Sequence, residues 1–219
     1  MSDIMKMCPN SPAKALHADS RFSTLLGQKA WNGLPAAIRR RFGKRLSGGA
    51  SIAYQGKVTS MKMNLAGKCL AQIARLVGAP LPYDLSSVGQ PAVVVVTEDA
   101  TSDGQFWIRQ YGRATSFPQV VHSLKRFSGP TRLEEYVGFG IGMALRIEAE
   151  ANALLFKSDH YFLQVLGYRL RLPRLLSPGA LVIGHHDLGD GRFVFSLSLT
   201  NRLFGELIRQ DALFNDSKE

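Results

Sequence analysis

The feature that most constrains the fold is a run of strand-length segments between residues 90 and 214, joined by turns. Most of them alternate apolar and polar residues, which is typical of strands with one buried face. No helical segment separates them, although parallel strands would need such crossovers. The pattern therefore predicts an antiparallel sheet of roughly seven to nine strands. The last segment, 203–214, is read as a strand, although its spacing also permits a helix.

Helical spacing is confined to the first part of the chain, in segments 20–27, 34–45 and 64–82. The second segment carries one apolar stripe, made of Leu34, Ile38 and Phe42. In the third segment the residues expected to face the core are Leu65, Cys69, Ile73, Leu76 and Val77.

These patterns predict an α+β, mainly β fold. We expect a curved antiparallel sheet or a partly closed β-barrel with two or three N-terminal helices, and the helix at 64–77 should cover one opening or face. The expected organisation is a flexible lead at 1–18, a single domain at 19–214 with a helical portion at 19–82 and a sheet portion at 90–214, and a tail at 215–219.

Charge and cysteine content limit the classes of partner. The chain has 27 basic and 17 acidic residues, a net charge of +10 that favours anionic partners. Such a charge can also serve solubility alone, and the basic residues are spread along the chain. Two cysteines and the lack of a long apolar run favour a cytoplasmic protein.

The stretch 104–113, GQFWIRQYGR, has the wrong residues for a plain amphipathic strand. Phe106 and Ile108 share one face, and the other face carries Trp107, Arg109, Tyr111 and Arg113. That second face is either an outer surface, with arginines in water, or a cavity wall. In the second case the aromatic rings provide apolar area and Arg109 anchors a carboxylate or phosphate.

Other candidate site residues are weaker. Glu134 and Glu135 can pair with Arg109 or Arg132 across the sheet, and Glu135 could act as a general acid or base if burial raises its pKa. His122 could reach a cavity in the same role. The candidate ligand-binding residues are Trp107, Arg109, Tyr111 and Arg132.

Motifs for a metal or a cofactor are lacking. His185 and His186 are adjacent on a strand and point to opposite faces, and no ligand spacing typical of zinc occurs. The glycines at 138–142 open a strand-like segment, so they do not predict a phosphate-binding loop. We therefore expect no metal and no cofactor.

Four stretches, at 22–42, 104–112, 133–158 and 201–214, together resemble a bacterial family of domains of unknown function. Members stand alone or follow a saccharopine-dehydrogenase-like, nicotinamide-binding reductase domain. The residues that match its motifs are Leu34, Pro35, Arg39, Arg40, Phe42, Trp107, Arg109 and the segment 203–207, whereas Tyr111 replaces the usual Phe. The resemblance implies a nicotinamide-dependent reductase as a partner and assigns no catalytic residue.

Three functional hypotheses follow. The first is binding of a small, partly apolar, anionic molecule inside the barrel. The second is an enzyme of the isomerase, cyclase or reductase-assisting type that uses the same cavity with Glu135 or His122. The third is a module that contacts acidic membrane surfaces or proteins through the basic helix residues 39–45. Nucleic acid is not expected, because no nucleic-acid-binding signature accompanies these cations.

Overall fold

Strands dominate residues 16–78 and 80–216, which are the residues that the computed structural model describes. The strands are β1 (Leu16–Ala18), β2 (Lys44–Leu46), β3 (Ser51–Met63), β4 (Pro91–Asp99), β5 (Gly104–Tyr111), β6 (Gln119–Arg126), β7 (Glu134–Gly138), β8 (Ile141–Glu150), β9 (Ala153–Val165), β10 (Tyr168–Arg171), β11 (Ala180–Gly189), β12 (Arg192–Asn201) and β13 (Gly205–Asn215). The helices are α1 (Arg21–Leu26), α2 (Gln28–Gly33), α3 (Ala36–Phe42) and α4 (Leu65–Leu76), and 3₁₀ turns occupy Leu85–Ser87 and Arg174–Leu176.

Ten of these strands form a closed antiparallel barrel. In order around it they are β9, β11, β12, β13, β3, β4, β5, β6, β7 and β8, and β8 pairs with β9 to close the ring. β10 adds to β9 beyond the barrel, and β1 pairs with β2 outside it. The predicted mainly β fold is confirmed. The barrel is fully closed, so none of its ten strands has a free edge.

The boundaries predicted from local signals agree with several elements. The stripe of Leu34, Ile38 and Phe42 is buried, and α1 ends at Gly27, as its left-handed backbone requires. Four short elements were missed, β1, β2, α2 and β7, each of which is too short for a clear period. Residues 16–18 of the predicted lead form β1, and residues 1–15 lie outside the described part of the chain.

Helices α1–α3 cover one end of the barrel, here called the α3 end. Their buried apolar side chains include Phe22, Trp31 and Phe42, and the rings of Phe22 and Phe42 lie 5.3 Å apart, edge to face. Arg41 of α3 is bound by Asp187 and Asp216 at 3.1 and 2.5 Å, which ties the helix to β11 and the end of β13.

Helix α4 crosses the opposite end, here called the α4 end, but with the face that was expected to be buried turned outward. The buried positions of the helix are Gly67, Ala71 and Ala74, whereas Leu65 is 77% and Leu76 is 84% exposed. Cys69 is also exposed, so the prediction that it is a buried residue was wrong. The small residues form the buried face because the helix backbone lies too close to β13 for larger side chains to fit between them.

One extra residue in β9 changes which side chains face inward. Ala144 pairs with His160 and Leu145 pairs with Ser158, so Asp159 has no partner and forms a bulge. Phe156 before the bulge and Tyr161 after it are therefore both buried. The sequence predicted a break in this segment near Ser158–Asp159 or Gly167, and both irregularities occur.

The close approach of α4 gives a test of this packing. A Cβ at Gly67 would lie 2.1 Å from the carbonyl oxygen of Leu207, so Gly67→Ala must displace the helix. We expect a loss of about 1–3 kcal/mol in the free energy of unfolding, measured by urea denaturation. The exposed control on the same helix, Gln72→Ala, should change it by less than about 0.5 kcal/mol. Equal values for both variants would contradict the described contact.

Candidate functional site

The candidate site lies on the inner face of β5, β6 and β7. Trp107, Arg109 and Tyr111 of β5 all point into the barrel and are 5% exposed or less, while Phe106 lies on the outer face. The alternation of the strand dictates this, because β5 pairs without a bulge to both of its neighbours. Of the two interpretations left open above, the inward one holds for these three side chains.

A buried carboxylate ties the three strands together. Lys125 and Glu135 are directly opposed residues on β6 and β7, and Lys125 Nζ lies 3.0 Å from Glu135 Oε1. Arg109 donates to Ser123 Oγ at 3.1 Å, and Ser123 donates to the same Oε1 at 2.5 Å. Arg109 Nη2 is 3.6 Å from Oε1, an ion pair too long for a hydrogen bond. We call Arg109, Ser123, Lys125 and Glu135 the inner charge cluster.

Burial and mutual charge set the protonation of this cluster. Burial lowers the pKa of Lys125 to about 8, and Arg109 acts in the same direction while Glu135 opposes it. Burial alone would raise the pKa of Glu135, but Lys125 and Arg109 bring it below its usual value. At pH 7 two buried cations therefore share one carboxylate, which leaves one excess positive charge.

Aromatic rings surround the cluster. Lys125 Nζ lies 4.8 Å from the centre of the Trp107 ring and 5.4 Å from that of Phe156, and Arg109 lies over Phe195 at 5.2 Å. Such faces attract cations and supply apolar area at the same time. His185 packs edge-on against Phe195, and burial together with nearby Lys125 and Arg41 lowers its pKa well below the ordinary value, so the ring is neutral at pH 7.

A cavity of about 30 Å³ lies beside Trp107 on the side of the α3 end, and none of the four residues of the inner charge cluster lines it. Residues that line it include Arg41, Phe42, Trp107 and His185. This is room for one or two water molecules, far less than the interior hollow expected from the sequence. The barrel is filled largely by its own rings, so a larger occupant requires these rings to move.

Several buried polar atoms on the inner face have no hydrogen-bond partner among the described residues. They are Trp107 Nε1, Arg109 Nε and Nη2, Tyr111 OH, Glu135 Oε2, His185 Nδ1, and Nε2 and Oε1 of Gln210. More than nine in ten buried polar groups in proteins have a partner. These atoms are therefore donors and acceptors that water or a bound molecule can satisfy inside the barrel.

The other sequence candidates lie elsewhere. His122 is exposed on the outer face of β6, because it alternates with the buried Val121 and Ser123, so its predicted place at an interior cavity was wrong. Arg132 is exposed in the turn between β6 and β7, apart from the inner charge cluster. Arg113 lies past the end of β5 and pairs with Asp84, and Glu134 pairs outside the barrel with Arg169 at 2.5 Å.

Sequence reasoning missed Lys125, Ser123, His185 and Gln210. A signal was available for the first two: in β6 the residues in phase with Val121 are Gln119, Ser123 and Lys125, an unusually polar set for an inner face. Gln210 alternates in the same way with Ile208 and Ala212. No local signal shows that these positions converge, since that depends on closure of the barrel.

Comparison with known proteins assigns the chain to a family. Residues 34–214 match the family described as Domain of unknown function (DUF4166). The chain belongs to the DUF4166 family. No curated protein and no solved structure matches it significantly. The DUF4166 match covers all ten barrel strands apart from the last residue of β13, and it includes α3 and α4 but not α1 or α2.

Among the described residues, no three His, Cys, Asp or Glu side chains lie together in a way that could hold a metal ion. None of the described helices is long and apolar enough to cross a bilayer.

The shifted pKa of Lys125 predicts how stability depends on pH. The unfolded chain keeps this proton up to about pH 10.5, whereas the folded state releases it near pH 8. Between these values the unfolded state binds more protons, so the free energy of unfolding should rise as the pH increases from 8 to 10. Urea denaturation across this range measures it.

The matched comparison is Lys125→Met against Lys62→Met, since Lys62 is an exposed lysine of β3. The rise in the free energy of unfolding between pH 8 and 10 should vanish in Lys125→Met and persist in Lys62→Met. A rise of equal size in both would mean that Lys125 is not its source.

Proposed function

We propose that the barrel interior binds a small, partly apolar, anionic molecule at the inner charge cluster. The observation that carries the proposal is the excess positive charge, formed by Arg109 and Lys125 around the single carboxylate of Glu135. An uncompensated buried charge costs several kcal/mol. A bound anion removes that cost, so it stabilises the folded protein and raises the pKa of Lys125.

The unpartnered donors fit such a ligand. Arg109 makes one hydrogen bond, to Ser123, and its Nε and Nη2 atoms are buried without a hydrogen-bond partner among the described residues, although Nη2 lies 3.6 Å from Glu135 Oε1. Two adjacent guanidinium nitrogens are the fork that holds a carboxylate or a phosphate oxygen pair. The hydroxyl of Tyr111 and the indole nitrogen of Trp107, also unpartnered, can donate to the same molecule.

The volume of the cavity limits the size of the ligand. The cavity of about 30 Å³ takes only the smallest anions without rearrangement. Anything larger displaces rings that line the cavity, such as those of Phe22 and Phe42. The apolar part of the ligand then lies among these rings. Its acidic group reaches Arg109 only past Trp107 and Phe195, which line the cavity and contact that arginine.

A homologous series of carboxylates tests the proposal without knowledge of the natural ligand. Formate, acetate, butyrate and hexanoate, compared at constant ionic strength, should raise the midpoint of thermal unfolding. A carboxylate at ten times its Kd contributes about 1.4 kcal/mol. Native mass spectrometry of freshly purified protein should show any small anion that remains bound. No stabilisation by any member, with no added mass, would refute the proposal.

Arg109→Met and Arg132→Met form the matched pair, because one arginine is buried and the other exposed. The stabilisation by carboxylates should be lost in Arg109→Met and kept in Arg132→Met. Equal stabilisation of both folded variants would place the bound anion outside the inner charge cluster.

An enzymatic role is the second candidate, and Lys125 is the observation that favours it. Its pKa of about 8 lies close to neutrality, so it can gain and lose a proton there. Glu135 is less suited to donate a proton, because its lowered pKa keeps it ionised. If Lys125→Met still retains a molecule that the unmodified protein converts, the barrel is an enzyme and Lys125 is its acid–base group. By resemblance, a nicotinamide-dependent reductase is the proposed partner in either case.

A further inference from the structure

Helix α4 turns an apolar stripe towards solvent. Leu65, Ile73 and Leu76 are 59–84% exposed, and Cys69 lies on the same side. The helix is held instead by small residues on its inner side and by Asn64, whose side chain caps it and donates to the carbonyl of Phe204 at 2.8 Å. A surface helix normally turns such a stripe towards the core, so this stripe is available to something outside the chain.

The strand register brings further exposed apolar residues to the same end. β13 begins beside the end of β3, and β11 begins beside the end of β12. β8 begins beside the end of β9, so three more turns and the loop before β11 join α4. These four connections carry Phe139, Leu166, Leu175, Leu176, Leu203 and Phe204, each at least 60% exposed. Scattered single residues of this kind need no explanation, but a gathered set marks an interaction site.

Charge is gathered at this end as well. Segments 62–78, 137–141, 163–180 and 200–205, which include α4 and the four connections, together contain seven basic and no acidic residues. The loops 80–90 and 112–118 at the same end add Asp84 and Arg113, which pair with each other, and Arg169 pairs with Glu134. The α4 end therefore keeps a net positive charge. Along the sequence these cations are dispersed, and only the topology assembles them.

Three of these cations line a groove of about 530 Å³ beside the loop before β11. Arg171, Arg174 and Arg202 form part of its wall and have no acidic partner among the described residues. The groove contains one carboxylate, Asp159, which is already bound by Arg146 at 2.6 Å. Unpaired guanidinium groups around a groove of this size suit phosphate groups.

We propose that the α4 end is a docking face for an anionic phospholipid bilayer. The exposed leucines and phenylalanines enter the interface, and the arginines of the groove hold lipid phosphates. Apolar side chains interleaved with cations are the combination that binds peripheral proteins to acidic membranes. A protein partner is less well matched, because these side chains stand on separate turns and one helix around a basic groove, rather than forming one apolar patch.

Vesicle co-sedimentation tests whether the cations of the α4 end contribute to membrane binding. The full chain should bind vesicles of phosphatidylcholine with phosphatidylglycerol, bind those of phosphatidylcholine alone far more weakly, and be released by high salt. Arg174→Ala/Arg202→Ala should weaken binding roughly 30-fold, at about 1 kcal/mol per cation near the surface. The matched control, Arg39→Ala/Arg40→Ala, removes two exposed cations at the α3 end and should change it less than about threefold.

Equal losses in the two double variants would overturn the proposal, since they would show attraction by net charge alone. Absence of binding to the anionic vesicles would overturn it as well. These outcomes do not depend on the inner charge cluster, so they leave the proposed interior site unaffected.

Leucine variants test insertion. Leu175→Ser and Leu203→Ser should each weaken vesicle binding roughly tenfold, while Leu188→Ser, at the α3 end, should leave it unchanged. An environment-sensitive fluorophore on the exposed Cys69, in a Cys8→Ser background, should shift to the blue when anionic vesicles are added. An unshifted probe with undiminished binding of the leucine variants would overturn insertion. Dimers that Leu203→Ser abolishes, without vesicle binding, would identify a second copy as the occupant and overturn the proposal.

Discussion

In a closed antiparallel barrel each side chain of a strand points either into the interior or to the outer surface. Successive side chains alternate between the two, so the direction of one fixes the direction of its neighbours. This constraint places Trp107 and Arg109 inside, because β5 pairs without interruption on both edges. It places Lys125 and Glu135 opposite each other on the same inner surface. The inner charge cluster is therefore a consequence of register, and every argument about function begins from it.

Charged groups buried inside a barrel contribute little net stability, because the cost of removing them from water offsets their attraction. Well-packed apolar residues in place of a buried ion pair often leave a protein equally stable or more so, while removal of one partner is strongly destabilising. The cluster has an unequal number of charges and includes unpartnered donors on Arg109. A purely structural role explains the pairing of Lys125 with Glu135 but not this excess, and for that reason the interior is the stronger candidate site.

Much of the fold could be predicted from the sequence, because period-two alternation and turn residues are local signals. The same signal placed Trp107, Arg109 and Tyr111 on one face of a strand, but it did not decide whether that face lies inside or outside the barrel. The orientation of α4 did not, since its apolar stripe is the conventional core face and only the close approach to Leu207 selects Gly67 instead. The gathering of cations at the α4 end was equally invisible, because Arg75, Arg174 and Arg202 are far apart in sequence and meet through strand register.

The unpaired residue at Asp159 has a consequence for how this domain can vary. It shifts the phase of β9, so that aromatic side chains on both sides of it, Phe156 and Tyr161, lie in the same core. Deleting that single residue would leave both rings inside, because Tyr161 would then follow Phe156 at the even spacing of a regular strand. Related chains can therefore lack this one residue without any change in which side chains β9 turns inward, whereas the loss of any other single residue within the strand would exchange its two faces.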